Sequence, residues 1–381
     1  MNQLTFKRLT VQASCLAAFL AVTGCQPRTA ATRGDAAQSQ DQTPQRPAQA
    51  SQGASAEQGR YRLVHNEQDR RIDVTVDGQP FTAYIYPETI KKPVLFPIHT
   101  AKGTPITRGY PLEPKPGERV DHPHHVGLWF NHGDVNGHDF WNNSDQVKGH
   151  AGPFGTIRHK SVKRMKSGNE QAELEVTMDW LDSEGKPMLL EETTFAFGGS
   201  GNTRTIDRIT KLTALDKEVL FKDNKEGVLA IRLARFLEHP SNKPEVFTDA
   251  SGLATAVPQL NNEGVTGKYR SSEGIEGEEV WSTRGKWMNL TGKTGGEEVS
   301  VAILDHPKNP NYPTHWHSRG YGLYSANMLG SKVFSEGKEE LNLKLRPRES
   351  VTFRHRVVIH SGGNFGDAEV NQAHQRFSQV Q

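Results

Sequence analysis

The sequence AELEVTMDWL at residues 172–181 alternates small or apolar residues with polar ones, and the turn-forming triplet Ser183-Glu184-Gly185 follows it. Alternation with a period of two is typical of a β-strand that buries one face. The same alternation, with Gly, Asn, Asp or Pro between segments, recurs in residues 71–76, 189–197, 204–212, 228–236, 299–304, 340–345 and 350–360. The sequence therefore predicts an all-β fold.

Strands of this kind fill residues 61–365 without an obvious internal break, and a helical period is conceivable only in residues 366–381. Short antiparallel strands over so long a segment favour one large two-sheet β-sandwich over several small domains. We therefore expect a single β-sandwich domain at 61–365. For the C-terminal tail at 366–381, a helix and an irregular segment both stay open.

Composition and charge exclude several classes of protein. The chain of 381 residues carries 46 Lys and Arg against 44 Asp and Glu. A nucleic-acid-binding protein typically has a basic surface, so this balance disfavours a nucleic acid partner. No apolar run approaches the roughly 20 residues of a spanning helix, which excludes a polytopic membrane protein. The only cysteines are Cys15 and Cys25, so no disulfide is expected in the folded part.

The N-terminus is typical of a secretory signal. Lys7 and Arg8 precede a moderately apolar stretch at residues 9–22, which is the order of a charged region and an apolar region in signal peptides. We therefore expect residues 1–25 to be removed from the mature protein.

The end of this segment, Val22-Thr23-Gly24-Cys25, resembles a bacterial lipobox. This predicts a lipoprotein whose Cys25 carries the lipid, and an ordinary signal with a chance cysteine is the alternative. Because Gln26 rather than Asp follows, we expect an anchor in the outer membrane, with the protein facing the periplasm or the cell surface. Residues 26–60 lack Val, Ile, Leu, Met, Phe, Trp and Tyr, which predicts a disordered linker rich in Gln, Ala, Pro and Ser.

Histidine is concentrated in one part of the chain. Seven of the 16 histidines lie between residues 122 and 159. At the centre of this segment His122, His124 and His125 precede Trp129 and Trp141, which places imidazoles beside indole rings. Because proline at 123 disfavours a central strand, we expect a loop or an edge strand here.

A second cluster contains His315, Trp316, His317 and Arg319. His315 and His317 are two residues apart, so in a β-strand both side chains would point to the same face, as metal ligands or a substrate clamp require. Asp305 precedes this cluster and adds a carboxylate.

Imidazoles with an ordinary pKa near 6.5 exchange protons at neutral pH. We expect the two clusters to line one site, with a carboxylate as partner and with arginines and indole rings that bind the ligand. The candidate catalytic residues are His124, His125, His315, His317, Glu226 and Asp305. The candidate ligand-binding residues are Arg232, Arg319, Trp129, Trp141, Trp316 and His122.

Each of these residue types also has a purely structural interpretation, as a packed histidine, a core tryptophan or an arginine in an ion pair. A His-x-His pair supplies two ligands whereas a metal site needs three or four, so a divalent metal stays open and no other cofactor is expected. The chain has no P-loop, dinucleotide-binding glycine motif or nucleophile elbow. Phosphoryl, hydride and serine-acyl chemistry are therefore disfavoured.

Residues 92–99, 103–111, 122–141 and 303–323 resemble an uncharacterised bacterial family that carries the automatic label "methane oxygenase PmoA". The segments His-His-x-Gly-Leu-Trp and Trp-His-x-Arg are specific to it. One departure is Asn327-Met328-Leu329-Gly330, where the family pattern is Asn-Pro-Phe-Gly. Members tend to accompany genes of carbohydrate catabolism, which implies a sugar ligand.

A more distant resemblance, to aldose epimerases, implies a supersandwich of the galactose-mutarotase type with a histidine and a carboxylate around the sugar. We therefore expect a cell-envelope lipoprotein that acts on a neutral sugar or glycoside by His/carboxylate acid–base chemistry, as an epimerase, mutarotase, lyase or hydrolase. The alternatives are a carbohydrate-binding lipoprotein without catalysis and a metal-dependent oxygenase, as the family label implies. The expected ligand is a small sugar or an oligosaccharide.

Overall fold

A computed structural model describes residues 59–149, 152–259 and 261–380, which belong to one compact unit. The expected signal peptide with Cys25, the linker up to residue 58 and His150 lie outside these residues. Among the described residues, no helix is both long and apolar enough to cross a membrane.

Most elements of the described part are β-strands. In chain order they are β1 (Tyr61–Asn66), β2 (Arg71–Val76), β3 (Gln79–Ile85), β4 (Val94–Leu95), β5 (Leu128–His132), β6 (Thr156–Lys166), β7 (Ala172–Leu181), β8 (Pro187–Gly198), β9 (Thr203–Ala214), β10 (Val219–Phe221), β11 (Gly227–Arg232), β12 (Glu245–Thr248), β13 (Ala254–Val257), β14 (Lys268–Ser271), β15 (Trp287–Thr294), β16 (Glu297–Asp305), β17 (His315–Trp316), β18 (Leu323–Asn327), β19 (Leu343–Leu345) and β20 (Ser350–Ser361). The α-helices are α1 (Ser331–Phe334) and α2 (Asp367–Phe377), and short 3₁₀ turns occupy Arg235–Leu237 and Gly277–Val280.

Two antiparallel eight-stranded sheets dominate the fold. The first sheet has the order β1-β2-β3-β4-β5-β11-β18-β17, and the second has the order β14-β15-β16-β20-β9-β8-β7-β6. Two further two-stranded sheets, β10-β19 and β12-β13, lie outside them. The predicted all-β, two-sheet sandwich is confirmed.

The inner faces of the two sheets share one hydrophobic core. The ring of Phe130 on β5 lies 6.4 Å from the ring of Trp180 on β7 and 5.4 Å from that of Phe353 on β20. The hydroxyl of Tyr324 on β18 accepts a hydrogen bond of 3.1 Å from the backbone N–H of Ile303 on β16. Apolar and polar contacts therefore join the first sheet to the second.

The outer faces of both sheets are covered in part. On the first sheet, Trp129 and Ala230 pack with Trp141, which comes from the long connection after β5. On the second sheet, helix α2 packs Val370 and Phe377 against strand residues. Helix α2 lies in the C-terminal tail at 366–381, where the sequence was compatible with either a helix or an irregular segment.

Two predicted strands are shorter than expected. Residues 228–236 form a strand only as far as Arg232, because the backbone N–H of Leu233 bonds to the carbonyl of Gly322 and a 3₁₀ turn follows. Residues 340–345 form a strand only at Leu343–Leu345, where they pair with β10.

We expect Ile303→Ala to lower the free energy of unfolding by about 2–5 kcal/mol, because deletion of buried methyl groups leaves a cavity in a packed core. Ile303 is fully buried in β16. Urea denaturation followed by tryptophan fluorescence measures the change. The matched control is Val64→Ala in β1, whose side chain is 48% exposed, and equal losses in the two variants would contradict the placement of Ile303.

Candidate functional site

The candidate site lies on the outer face of the first sheet, near its β17 edge. Successive side chains of a strand point to opposite faces, so the residues that alternate with the core residues of β5, β11 and β18 face outward. Those side chains are unusually polar for a face that is covered. Fully buried members are Trp129, Asn131, Arg232, Ser325 and Asn327.

A carboxylate fixes the loop that carries the first histidine cluster. Asp121 accepts hydrogen bonds from Arg108, from Arg232 at 2.6 Å and from the Nδ1 of His122 at 2.7 Å. Arg108 also donates to the carbonyl oxygens of His122 and His125, at 3.1 and 3.2 Å. Burial by itself would raise the pKa of Asp121, but Arg232, His122 and Arg108 outweigh it and hold that pKa well below its usual range. Asp121 is therefore ionised at neutral pH.

Four rings form a stacked column above the sheet. His122 stacks on Tyr321 at 5.3 Å and on His125 at 4.7 Å, with interplanar angles of 5° and 2°. His125 in turn stacks on Trp129 at 5.1 Å. His124 lies edge-on to His125 at 4.4 Å. The column runs from Tyr321 through His122, whose side chain is 42% exposed, and His125 to Trp129 on the sheet.

The two histidine clusters meet at Trp141. Its indole lies 5.4 Å from the ring of His125 and 6.1 Å from the ring of His317, and it is nearly parallel to the latter at 26°. The Nδ1 of His317 lies 3.6 Å from Oε2 of Glu226. This distance is too long for a direct hydrogen bond, although it keeps the imidazole and the carboxylate within reach of one bridging oxygen.

His315 and His317 share one face, as two residues that alternate in a strand must. Their rings lie 5.4 and 5.9 Å from the ring of Phe334 on α1. Trp316 lies between them in sequence and therefore points the other way, into the core between the sheets, 6.3 Å from Tyr324. It does not contact the imidazoles of the first cluster, and we leave it out of the site.

Asp305 lies at the end of β16, away from the stacked column. It is fully buried and accepts hydrogen bonds from Asn309 at 2.7 Å and from the backbone N–H of Thr314 at 2.8 Å. Burial raises its pKa to about 7, although these two bonds act in the opposite direction. Asp305 therefore holds the loop before β17, and we leave it out of the site too.

Arg232 and Arg319 have different surroundings. The guanidinium of Arg232 is buried between Asp121 and the ring of Tyr321, from which its Cζ lies 4.8 Å. The guanidinium of Arg319 lies over the ring of Trp281 at 4.4 Å. Only Arg232 touches the stacked column.

The buried imidazoles are uncharged at neutral pH. Burial lowers the pKa of His124 to about 2 and that of His317 to about 3, helped by the positive charges of Lys92 and Lys225 respectively. Burial and His124 hold the pKa of His125 well below its usual range. Burial also lowers the pKa of His315, to about 4. Neutral imidazoles both donate and accept hydrogen bonds.

Several buried polar atoms of the site have no hydrogen-bond partner in the described protein. They include both ring nitrogens of His124, Nε2 of His125, Nδ1 of His315 and of His317, Nε1 of Trp129, Oδ1 of Asn131 and Nε of Arg108 and of Arg232. An unsatisfied buried polar atom costs about 1–3 kcal/mol, so natural proteins contain few of them. A cluster of such atoms indicates a place where a polar ligand or water binds.

A cavity of about 310 Å³ adjoins the column on the side of His124. It is lined by His124, Lys92 and Asn143 together with apolar residues such as Ile90 and Leu112. This volume is at the lower end of the range for small-molecule sites.

The described residues contain no group of three or more His, Cys, Asp or Glu placed to hold a metal ion. The side chains present therefore do not fit the metal that the histidine spacing left open, and we derive no step through one.

Sequence reasoning missed four residues of the site: Arg108, Asp121, Tyr321 and Phe334. Asp121 directly precedes His122, and this adjacency was a usable signal. The other three meet the histidines only through contacts distant in sequence, for which the chain itself gives no pattern.

A model of a protein family described as a family of unknown function, DUF6807, matches residues 71–375. Because this match covers most of the chain, the chain belongs to that family. No curated protein matches the chain.

Among solved structures, the chain is similar to the GH36 α-galactosidase AgaA from Geobacillus stearothermophilus in complex with stachyose, with 12% identity, a TM-score of 0.35 and coverage of 74% of this chain and 40% of that chain. It is also similar to the α-galactosidase from Lactobacillus brevis, with 8% identity, a TM-score of 0.34 and coverage of 81% and 40%. The Slr1438 protein from Synechocystis is similar at 9% identity and a TM-score of 0.27, with coverage of 82% and 99%. The chain thus spans about two fifths of the two galactosidases. Scores of this size carry no argument about function.

We expect Asp121→Asn to lower the free energy of unfolding at pH 7 by about 3–5 kcal/mol, because it leaves Arg108 and Arg232 buried without their counter-charge. The pKa of Asp121 is lowered on folding, so its contribution is complete above the ordinary aspartate pKa of about 4 and is lost as the pH falls below it. The difference between wild type and variant should therefore shrink below about pH 4.

Urea denaturation at several pH values measures this difference. Asp145→Asn is the matched control, since Asp145 is 71% exposed and pairs with Lys91 at the surface, where an ion pair contributes little. A pH-independent difference, or an equal effect in the control, would show that the Asp121 carboxylate does not hold the loop.

Proposed function

We propose that this DUF6807 family member binds a neutral sugar or glycoside at the stacked column and transforms it by acid–base chemistry, as an isomerase, lyase or hydrolase. One observation carries the proposal. His317, whose imidazole lies 3.6 Å from the Glu226 carboxylate, contacts Trp141, and Trp141 contacts His125. Both ring nitrogens of His124 and Nε2 of His125 lack partners.

The chemistry of the column favours a ligand rich in hydroxyl groups. A hydroxyl group both donates and accepts hydrogen bonds, as do the neutral imidazoles of His124, His125 and His317. Indole and phenol rings, here Trp141 and Tyr321, present flat apolar faces that suit the CH face of a sugar ring. Asp121 pairs with both Arg108 and Arg232, so these two guanidinium groups are held in place beside the column.

The pair His317 and Glu226 is suited to the proton transfer. In our proposal the neutral His317 relays a proton from a hydroxyl or a C–H group of the ligand to the carboxylate of Glu226, which lies 3.6 Å from its Nδ1. A positioned base of this kind contributes about 10²- to 10⁴-fold to the rate. We assign a second proton transfer to His124. Its ring lies edge-on to that of His125, and both of its ring nitrogens lack a partner.

Binding without catalysis uses the same column and is therefore an outcome of the test. A metal-dependent oxygenase needs a ligand set that the described residues do not provide, and we propose no reaction through a metal.

For the location, we propose a lipid anchor on Cys25 and a place in the cell envelope, with residues 26–60 as the tether. The support is the lipobox-like sequence that ends at Cys25. An acyl chain contributes about 0.8 kcal/mol for each buried CH₂ group, so several chains suffice for a stable anchor.

We expect Cys25→Ala to move the protein from the membrane fraction to the soluble fraction when the full chain is produced in a Gram-negative host. Radiolabelled palmitate should mark the wild type and not the variant. Cys15→Ala is the matched control and should keep both the label and the membrane location. Label retained by Cys25→Ala would refute a lipid on that residue.

We expect Glu226→Gln and His317→Gln to reduce turnover by about 10²- to 10⁴-fold while binding changes little, because each variant removes proton transfer and leaves a polar side chain that still forms hydrogen bonds. Free hexoses and disaccharides serve as probes, and proton NMR follows anomer exchange, epimerisation and cleavage. Glu298→Gln is the matched control, since Glu298 pairs with Lys293 on the second sheet. Binding without any product in the wild type would establish a binding protein, and full activity of both variants would remove the proposed site.

A further inference from the structure

Lys92 is a buried lysine that the proposed sugar chemistry does not use. It precedes the short strand β4 and is only 4% exposed. Its Nζ donates a hydrogen bond of 2.7 Å to the carbonyl oxygen of His124 and lies 5.5 Å from the centre of the Trp129 ring. A lysine is rarely buried unless a carboxylate pairs with it, so this position requires an explanation.

The surroundings of Lys92 keep its amine reactive. No ion pair links it to a carboxylate of the described chain, and the bond to the His124 carbonyl occupies only one N–H of the amine. Burial lowers its pKa to about 7, against a smaller opposite effect of Asp139. A large share of the amine is therefore uncharged at neutral pH, with its lone pair available for reaction.

The cavity beside Lys92 has room for a small molecule. Its volume is about 310 Å³, and apolar side chains including Ile90, Val94 and Val126 form much of its wall. His124, with two unpartnered ring nitrogens, lines the same cavity. A lysine in an apolar pocket next to an imidazole is the arrangement that activates an amine as a nucleophile.

We propose that Lys92 binds small carbonyl compounds covalently, as an imine formed in this cavity. The Nζ lone pair attacks the carbonyl carbon, and the C=O π bond breaks to give a carbinolamine. The neutral imidazole of His124 relays a proton from nitrogen to the departing hydroxyl, accepting it at one ring nitrogen and donating from the other, so that water leaves and a C=N bond forms. No oxidant or reductant takes part in this step.

The ligand class follows from the reaction and the cavity: an aldehyde or a ketone of a few carbon atoms, or the open-chain end of a reducing sugar. The inference does not depend on the acid–base role of His317 and Glu226, although His124 belongs to both places. The amine site and the acid–base site can therefore be refuted independently of each other.

The test is borohydride trapping on the full chain. The protein is incubated at pH 7 with glycolaldehyde or, in a second arm, with dihydroxyacetone, and sodium borohydride then reduces the imine to a stable secondary amine. Mass spectrometry of peptides locates and quantifies the adduct. We expect modification of Lys92 to exceed that of a typical lysine by about tenfold or more, because the exposed amines are almost wholly protonated at this pH.

The two arms separate the possible ligands, since reaction with glycolaldehyde alone indicates an aldehyde site and reaction with both indicates a site for ketones too. Lys92→Arg should abolish the dominant adduct. Lys186→Arg, which alters an exposed lysine paired with Glu184, should leave it unchanged. His124→Gln should slow its formation.

Because the adduct is mapped in the wild-type chain, the result does not depend on whether a variant folds. Adducts spread evenly over the surface lysines, with Lys92 unmodified, would overturn the proposal. Trapping at Lys92 together with full sugar turnover in Glu226→Gln would uphold the amine site and refute the proposed function.

Discussion

The site depends on one buried electrostatic contact, in which two guanidinium groups share the carboxylate of Asp121. Arg232 comes from β11 and Arg108 from a loop, and both are fully buried. Burial of an arginine is costly unless a carboxylate and further acceptors meet it. Here the carbonyl oxygens of His122 and His125 serve as those acceptors for Arg108. The requirement to satisfy two buried charges thereby determines the course of the histidine loop over the sheet.

That contact is possible because the first sheet is covered on both faces at β5, β11 and β18. An antiparallel sheet usually packs one face on a core and exposes the other. In this fold every residue of β5, β11 and β18 is buried. The inward-facing residues form the core of the sandwich. The outward-facing residues and the loops that cover them form a second layer, which contains buried polar atoms without a hydrogen-bond partner. Stability and ligand binding are therefore assigned to opposite sides of the same strands.

The alternation that predicts strands is strong where one face meets water, and strands such as β2, β7 and β20 follow from it. It fails for β5, Leu128–His132, because a strand buried on both faces has no polar side for the pattern to reveal. The shared face of His315 and His317 follows from their spacing. Because Trp316 lies between these two histidines, the same alternation places its side chain on the opposite face. The expectation that Trp316 binds the ligand did not take this alternation into account. Asp121 escapes prediction because its arginines lie 13 and 111 residues away.

Core side chains and site side chains alternate along the same strands, and this alternation restricts how such a protein evolves. Trp129 and Phe130 are neighbours in β5, and one belongs to the outer layer while the other belongs to the core. A single inserted residue in this strand would exchange the two faces and destroy the packing and the site together. Length variation among relatives should therefore be confined to the connections that cover the outer face. Changes of ligand preference would accordingly arise by remodelling of those connections, while strand lengths stay constant.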